Sequence, residues 1–515
     1  MHDFVVVGAG SAGSVVASRL SEDPGTRVLL LEAGSGRIPR ESQIPAAFSK
    51  LFKTQYDWHY RTAPEGELAN RALYWPRGRM LGGSSAMNAM IWTPPAREDL
   101  DGWEAAGCRH WSWTDLEPAL ARAERTTGTP RAAGEVGIDV AHPAVLNPVT
   151  EALLAAALAS GIPANDGFRA GRMDGAGRFR VTQAGGKRVS SATGYLDPVR
   201  HRTNLTIIPN ATVDQVVFDG RRATGVRYRV AGAGAEKATG RVILAAGAIG
   251  SPHLLLRSGI GPAPLLAAHR IPVVADLPGV GKNLQDHLSI GVMYQCREPV
   301  TLAGAERIGN VLRYLIRRDG PLTSNVAEAG AFIRLGRDAD RPDLELIFAP
   351  SYFVDHGLGN PPGHGFTVAA ILLRPRSRGE VTLASADPLH PPVIVANYLT
   401  TGPDLELLEA GLVQARAIAA RADVDRFRGP EYLPGPTENL ERFIRTRAET
   451  LYHPVGTCRM GVGPETVVGD RLAVHETDDL WVVDGSIMPE IVSGHPHAAI
   501  VMIAERAAEF IRGGG

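Results

Sequence analysis

Cysteine is scarce in this 515-residue chain: Cys108, Cys296 and Cys458 are the only three. They are widely spaced, odd in number and form no CxxC pair, which argues against a disulfide framework and a thiolate zinc centre; no metal is expected. Long apolar runs are also missing. None reaches the roughly 18 to 20 residues that a membrane span requires, and the first strand-like run starts too early to leave room for a secretory leader. A cytoplasmic protein without a membrane partner is the expectation. Charge of one sign is absent too: Lys+Arg number 54 and Asp+Glu 55, a formal net charge of −1, with no long block of either sign. A polyanionic partner such as nucleic acid is therefore not expected. What the chain has in plenty is glycine, 58 residues, and proline, 37, the composition of many turns and long connections. Its length exceeds what one core usually supports, so two large interleaved domains fit.

The chemistry begins at the amino end. Phe4 to Val7 is a β-branched apolar run, followed by Gly8-Ala9-Gly10-Ser11-Ala12-Gly13 and then by a helical pattern from Ser14 to Leu20. Strand, glycine turn and helix in this order make a dinucleotide-binding unit. Gly8 permits the tight turn, Gly10 lets backbone N–H groups approach a pyrophosphate, and Gly13 lets the helix pack on the strand. A second apolar run, Val28 to Leu31, ends in Glu32 and Ala33. A carboxylate about 20 residues beyond the glycines accepts hydrogen bonds from ribose hydroxyls. FAD and NAD both satisfy this unit.

Residues 37–75 are irregular and aromatic, a long loop that covers something. The segment Arg79-Met80-Leu81-Gly82-Gly83-Ser84-Ser85-Ala86-Met87-Asn88-Ala89-Met90 concentrates backbone donors and hydroxyls ahead of a short helical stretch, suited to a second anionic or ring-carbonyl group. A packing helix is expected over 148–160. Residues 205–208, 213–218 and 225–230 alternate like an antiparallel meander. Val242 to Ala248 has the small and branched composition of a strand buried on both faces of a parallel sheet. Strand patterns at 331–334, 344–348, 366–372 and 381–383, then a helix over 405–420, predict an antiparallel sheet with helical cover. The fold class expected is α/β, with a Rossmann-like nucleotide-binding domain on a parallel sheet and a second domain on an antiparallel sheet covered by helices. The first domain is read from 1–150, 191–300 and 451–515, the second from 151–190 and 301–450.

Together these motifs resemble the glucose-methanol-choline family of FAD-dependent oxidoreductases over nearly the whole chain. The glycine unit with Glu32, the Gly82-Gly83-Ser84-Ser85 segment, Gly247 through Gly261, and the pair Tyr452-His453-Pro454-Val455-Gly456-Thr457 and Val483-Asp484-Gly485-Ser486 through His497 carry the likeness. The resemblance implies FAD rather than NAD. It implies that Gly82, Ser84, Asn88, Ala89 and Met90 lie along pyrophosphate and flavin, that Val213 meets the adenine end through its backbone, and that Asp484 and Gly485 bind the ribityl or pyrophosphate portion. Relatives that attach flavin covalently use a histidine where this chain has Met87, and a thioether cannot form that link, so FAD is expected to dissociate.

The implied reaction is oxidation of a small alcohol, primary in the leading reading, to an aldehyde, with hydride passing to flavin N5 and oxygen or another acceptor reoxidising the flavin. Histidine suits removal of the hydroxyl proton because its ordinary pKa lies near working pH. His453 is the expected base. His497, 44 residues further on, is the expected alkoxide partner and a flavin contact, and His495 lines the pocket. Glu328 matches a position where choline-type members hold an acidic residue, with Tyr352 and Phe353 as candidate pocket walls. A choline-type dehydrogenase or oxidase, and a non-redox relative such as a hydroxynitrile lyase or photodecarboxylase, are the alternatives.

Overall fold

Five short strands near the two ends and the middle of the chain meet in one parallel sheet. In the computed structural model, which describes residues 2–128, 130–143, 145–230, 234–336, 340–359 and 361–513, their order is Leu205–Ile208, Val28–Leu31, Phe4–Val7, Arg241–Leu244 and Leu480–Val482. The inner strands are apolar on both faces because both faces are covered; Val5, Val6, Val28, Leu30, Val242 and Ile243 are fully buried. The helices Ser11–Leu20 and Pro496–Arg512 pack together at this layer. Between them Glu505 accepts hydrogen bonds from Arg19 Nε and Nη2 at 2.9 Å and from the Tyr195 hydroxyl at 2.6 Å.

Leu205–Ile208 corrects the expected meander. It is the outer strand of the parallel sheet and pairs with Val28–Leu31. Its alternation reflects having one neighbour instead of two, and an outer parallel strand and an antiparallel strand then show the same period. The antiparallel sheet contains Ala211–Asp219, Arg222–Val230 and a third strand, Ala235–Thr239, whose exposed polar residues carry no pattern to read.

The second sheet is antiparallel and seven-stranded. It runs Arg428–Leu433, Leu288–Cys296, Gly365–Leu372, Leu344–Ala349, Ala329–Ile333 and Gly175–Arg178, with Glu449–Thr450 paired to the start of Leu288–Cys296. Leu288–Cys296, assigned by sequence to the nucleotide segments, belongs to this sheet. The strand Glu380–Thr382 pairs instead with Val393–Val395 in a separate hairpin. Helices Pro148–Ala159 and Gly402–Ala419 cover one face. Period two then sorts the strand Leu344–Ala349: Leu344, Leu346 and Phe348 join the helix-side core, while Ile347 joins Phe332 and Ile371 on the opposite face. Glu345 falls on that second face, fully buried.

Candidate active site

A cleft of about 380 Å³ opens at the carboxyl ends of the parallel strands, where this topology places ligands. Gly8, Gly10, Ser11, Ala12, Glu32, Ala33, Ser84, Val213, Asp484 and Gly485 all line it. Gly10 faces open space, and a Cβ at Gly83 would lie 2.8 Å from the Cα of Gly10, so the two glycine segments form one cradle in which backbone N–H groups stand bare. Gly82 closes the join by donating its N–H to the Ala9 carbonyl at 2.8 Å. Gly13 serves packing: a Cβ there would sit 1.8 Å from the Gly8 carbonyl oxygen. A Gly13→Val variant is expected to lose bound flavin and to melt lower than wild type, measured by flavin absorbance and thermal unfolding; retention of stoichiometric flavin would disprove the close-packing role.

Glu32 accepts from the Ala9 N–H at 2.9 Å and the Gly34 N–H at 2.8 Å. It lines the cleft with lone pairs to spare, and burial pushes its pKa up to about 7. Asp484 lines the cleft too, but its oxygens accept from Gly247 N–H at 2.8 Å, Ser251 Oγ at 2.6 Å and Ser486 N–H at 2.8 Å. Its carboxylate organises the turns that face the cleft. Asn88, Ala89 and Met90 are held by the protein: Asn88 Oδ1 accepts from Arg188 at 2.6 Å, the Ala89 carbonyl from Asn325 at 3.0 Å, and the Met90 carbonyl from Thr182 N–H at 2.8 Å. Arg188, fully enclosed, also donates to the Ser42, Ser85 and Asn88 carbonyls; burial lowers its pKa to about 9. It ties the loop over 37–75 to the Gly82–Asn88 segment.

Pro454 lines the cleft, and the preceding residue, His453, belongs to a buried chain of polar side chains. The His453 N–H donates to Asp286 Oδ1 at 2.7 Å, and Asp286 Oδ2 accepts from the Thr450 hydroxyl at 2.6 Å and from the Tyr398 hydroxyl. His453 Nδ1 lies 2.9 Å from His287 Nδ1, and His287 Nε2 lies 3.0 Å from the Leu373 carbonyl. These distances assign the protons. A carbonyl only accepts, so His287 carries its proton on Nε2; burial lowers its pKa to about 3, so the ring is neutral and Nδ1 is bare. That nitrogen must accept from His453 Nδ1–H, which leaves His453 Nε2 with a lone pair. Burial, then the fields of His495, His287 and Arg77, lower the His453 pKa well below 6.5 and keep it neutral.

The ring facing His453 is His495, with centroids 4.9 Å apart and planes at 85°. Its Nε2 lies 3.0 Å from Glu345 Oε1, its N–H donates to Thr93 Oγ1 at 3.1 Å, and Phe179 borders it. His497 takes a different position. Its Nε2 is 3.3 Å from Ser191 Oγ and its ring meets Trp92 edge-on at 5.5 Å. The helix Pro496–Arg512 explains the separation, since His495 is the extended residue that caps its start while His497 lies in its first turn. The structure therefore brings His453 together with His495, where the sequence suggested His497.

Three pocket candidates are committed elsewhere. Glu328 accepts from Ser324 Oγ at 2.6 Å and from Asn147 N–H at 2.9 Å, so its carboxylate anchors the entry to helix Pro148–Ala159. Tyr352 packs on Tyr432, centroids 5.0 Å apart. Phe353 packs against the cluster containing Phe48, Phe52 and Met87. Of two further functional candidates, His287 stood in the sequence as an ordinary histidine and Glu345 went unread. A readable signal existed for Glu345, a lone carboxylate in the apolar strand Leu344–Ala349.

Buried titratable groups couple the fold to pH. Burial lowers His253 and His287 to about 3, His356 and His497 to about 4, and His453 as well. Each binds a proton on unfolding, so its contribution to stability is complete above about pH 6.5 and is lost as pH falls from there. Glu32 and Glu449, raised to about 7, and Asp286, raised to about 6, act oppositely. Burial also lowers His2, His142 and His364 and raises Glu65, Asp99, Glu328 and Asp484, which leaves eight lowered histidines against seven raised carboxyls. The thermal midpoint is expected to be lower at about pH 5.5 than at about pH 7.5, and the reverse order would show that the carboxyls dominate.

A parallel-sheet nucleotide cleft lined by Pro454, next in the chain to the His453 ring that faces His495, defines a flavin-type oxidoreductase site. The chain belongs to the glucose-methanol-choline (GMC) oxidoreductase family: models described as GMC oxidoreductase match residues 2–289 and 375–504. It is 40% identical over 529 residues to the alcohol dehydrogenase (acceptor) of Pseudomonas putida, covering 99% of this chain and 96% of that protein. It is also 40% identical over 531 residues to an oxygen-dependent choline dehydrogenase of Escherichia coli, covering 99% and 95%. Pyridoxine 4-oxidase from Mesorbium loti superposes with a TM-score of 0.90 at 33% identity, over the whole of both chains. The protein is an FAD-binding flavoprotein, and the glycine cradle with the partly free Glu32 carboxylate fits that cofactor.

Proposed function

We propose that the protein oxidises the CH–OH group of a small alcohol, a primary one in the leading reading, to the carbonyl compound. The proton relay Leu373–His287–His453 carries this reading, because it presents a neutral imidazole with a bare Nε2. His453 Nε2 takes the hydroxyl proton as general base. His495 replaces His497 as the partner that holds the oxygen: Nε2 is engaged by Glu345, so Nδ1 is the nitrogen left for substrate. From there it hydrogen-bonds the oxygen as negative charge develops. Bound FAD supplies the hydride acceptor. Asp286 fixes the His453 backbone, and His287 is a positioning residue. His287→Phe is expected to lower kcat/KM by about tenfold or more by releasing the tautomer, while His287→Asn, whose amide oxygen can accept, restores part of it; equal activity of wild type and Phe variant would remove this role.

The position that would carry a covalent flavin link is Met87, buried among apolar and aromatic side chains, so FAD is read as dissociable. For a choline-type reading, Glu328 and Tyr352 are poor supports, since both are engaged in packing the fold. Anaerobic absorbance titration with primary alcohols, a benzylic alcohol and choline tests the assignment. Bleaching of the flavin by an alcohol, followed by recovery in air, identifies an oxidase; bleaching without recovery identifies use of another acceptor. A flavin that no alcohol reduces while a cyanohydrin is cleaved would replace this reading with the lyase.

A further inference from the structure

The helix Ile308–Arg317 turns its apolar face outward. Ile308, Leu312, Leu315 and Ile316 are 80%, 52%, 56% and 78% exposed, and their spacing places them on one side of the helix. Inward it sends only Tyr314, fully buried, and the half-buried Val311, which pack near Ala305, Leu322 and Ile44. The Tyr314 hydroxyl donates toward the Gly186 carbonyl at 3.1 Å and that of Gln43 at 3.3 Å. Buried amphipathic helices of globular proteins show the reverse orientation.

The flanks of this face are basic. Residues 306–319 contain Arg307, Arg313, Arg317 and Arg318 against Glu306 and Asp319, a surplus of two positive charges by 4 − 2. Arg313 bonds Asp319 at 2.5 Å, Glu306 pairs with Lys50 at 2.6 Å, and Arg318 lies over the Tyr314 ring. Self-association does not match this charge pattern: two such helices packed antiparallel about a two-fold would set Arg307 of one copy against Arg317 of the other. An anionic lipid surface matches both features, taking apolar side chains between acyl chains and arginines against phosphates.

We propose that the helix Ile308–Arg317 is an interfacial anchor that docks the protein on an anionic lipid surface. Among the described residues no helix is long and apolar enough to cross a membrane, but lying in the interface requires one apolar face and not a span. The expectation of no membrane partner rested on the missing span and on a net charge of −1 with no block of one sign, and neither describes a single local face. The helix sits on the 37–75 loop through Ile44 and Gln43, and Ser42 of that loop is tied by Arg188 to Ser85 and Asn88. Docking therefore brings the cover of the cofactor site to the lipid, independently of which alcohol is oxidised.

Flotation of the FAD-loaded protein with vesicles of phosphatidylcholine alone, or with a third phosphatidylglycerol, tests this. Most of the protein is expected to float with the anionic vesicles, with at least tenfold less on neutral ones and less again at high salt. The combined variant Ile308→Ser, Leu312→Ser, Leu315→Ser and Ile316→Ser is expected to lose binding at least tenfold while keeping flavin content and melting temperature, since these side chains are exposed. Absence of flotation overturns the proposal, as does flotation unchanged in the variant. If light scattering gives a dimer for wild type and a monomer for the variant, with no flotation, a second copy covers the face instead.

Discussion

The variant His453→Ala is expected to bind FAD normally and to lose about 10²- to 10⁴-fold in the rate of flavin reduction by alcohol, the range for removal of a positioned general base. The physical case is the pair of nitrogens on its ring. Nδ1 is held by His287, which leaves Nε2 to take the proton. A neutral imidazole is required, and burial with its neighbouring histidines supplies one. The backbone N–H bond to Asp286 survives the substitution, since it does not use the side chain. Flavin content and thermal midpoint serve as controls. Stopped-flow reduction within threefold of wild type, with flavin retained, would remove His453 from the chemistry.

His495→Ala and His497→Ala are expected to separate. The first removes the ring that faces His453 and that Glu345 orients; loss of one hydrogen-bond donor to a developing oxyanion costs about 10²- to 10³-fold. The second removes a ring packed on Trp92 and Ser191, so its cost is expected chiefly in stability, about 1–3 kcal/mol from the cavity and an unpaired hydroxyl, with less than tenfold in turnover. Glu345→Gln should reproduce part of the His495 effect, because an amide can still accept from Nε2 but carries no charge. Equal rate losses at 495 and 497 would put both rings at the substrate. A loss confined to His497 would restore the reading that the family resemblance suggested.

Local order explains why some features could be read directly. The glycine unit, Glu32 and the strand Val242 to Leu244 are each specified by a short contiguous pattern whose backbone demands are severe: Gly8 needs a φ of +98° and Gly13 leaves no room for a side chain. Short strands with one neighbour carried less information, which is why Leu205–Ile208 was assigned to the wrong sheet. Leu288–Cys296 was similarly ambiguous, because an apolar run does not state which of two sheets will cover it. Glu328 was a candidate because the resemblance put it where choline-type members hold an acidic residue, yet Ser324 Oγ and the Asn147 N–H hold its carboxylate within the fold.

The sequence by itself determined a dinucleotide-binding unit and the two-sheet architecture, since these rest on residue types at short spacings, while the choice of FAD and the expectation for His453 came from the family resemblance. Only the tertiary structure decided which second histidine faces His453. Residues 495 and 497 are neighbours in the chain, and a helix start sends their rings to different places. Only the fold joined His287, just ahead of one strand, to His453 on a loop, and Glu345 on another strand to His495, because hydrogen bonds between residues 166 or 150 positions apart leave no periodic trace in the chain. The outward apolar face at Ile308–Arg317 was hidden for the same reason: amphipathic spacing gives a helix two faces, and only packing decides which one meets water.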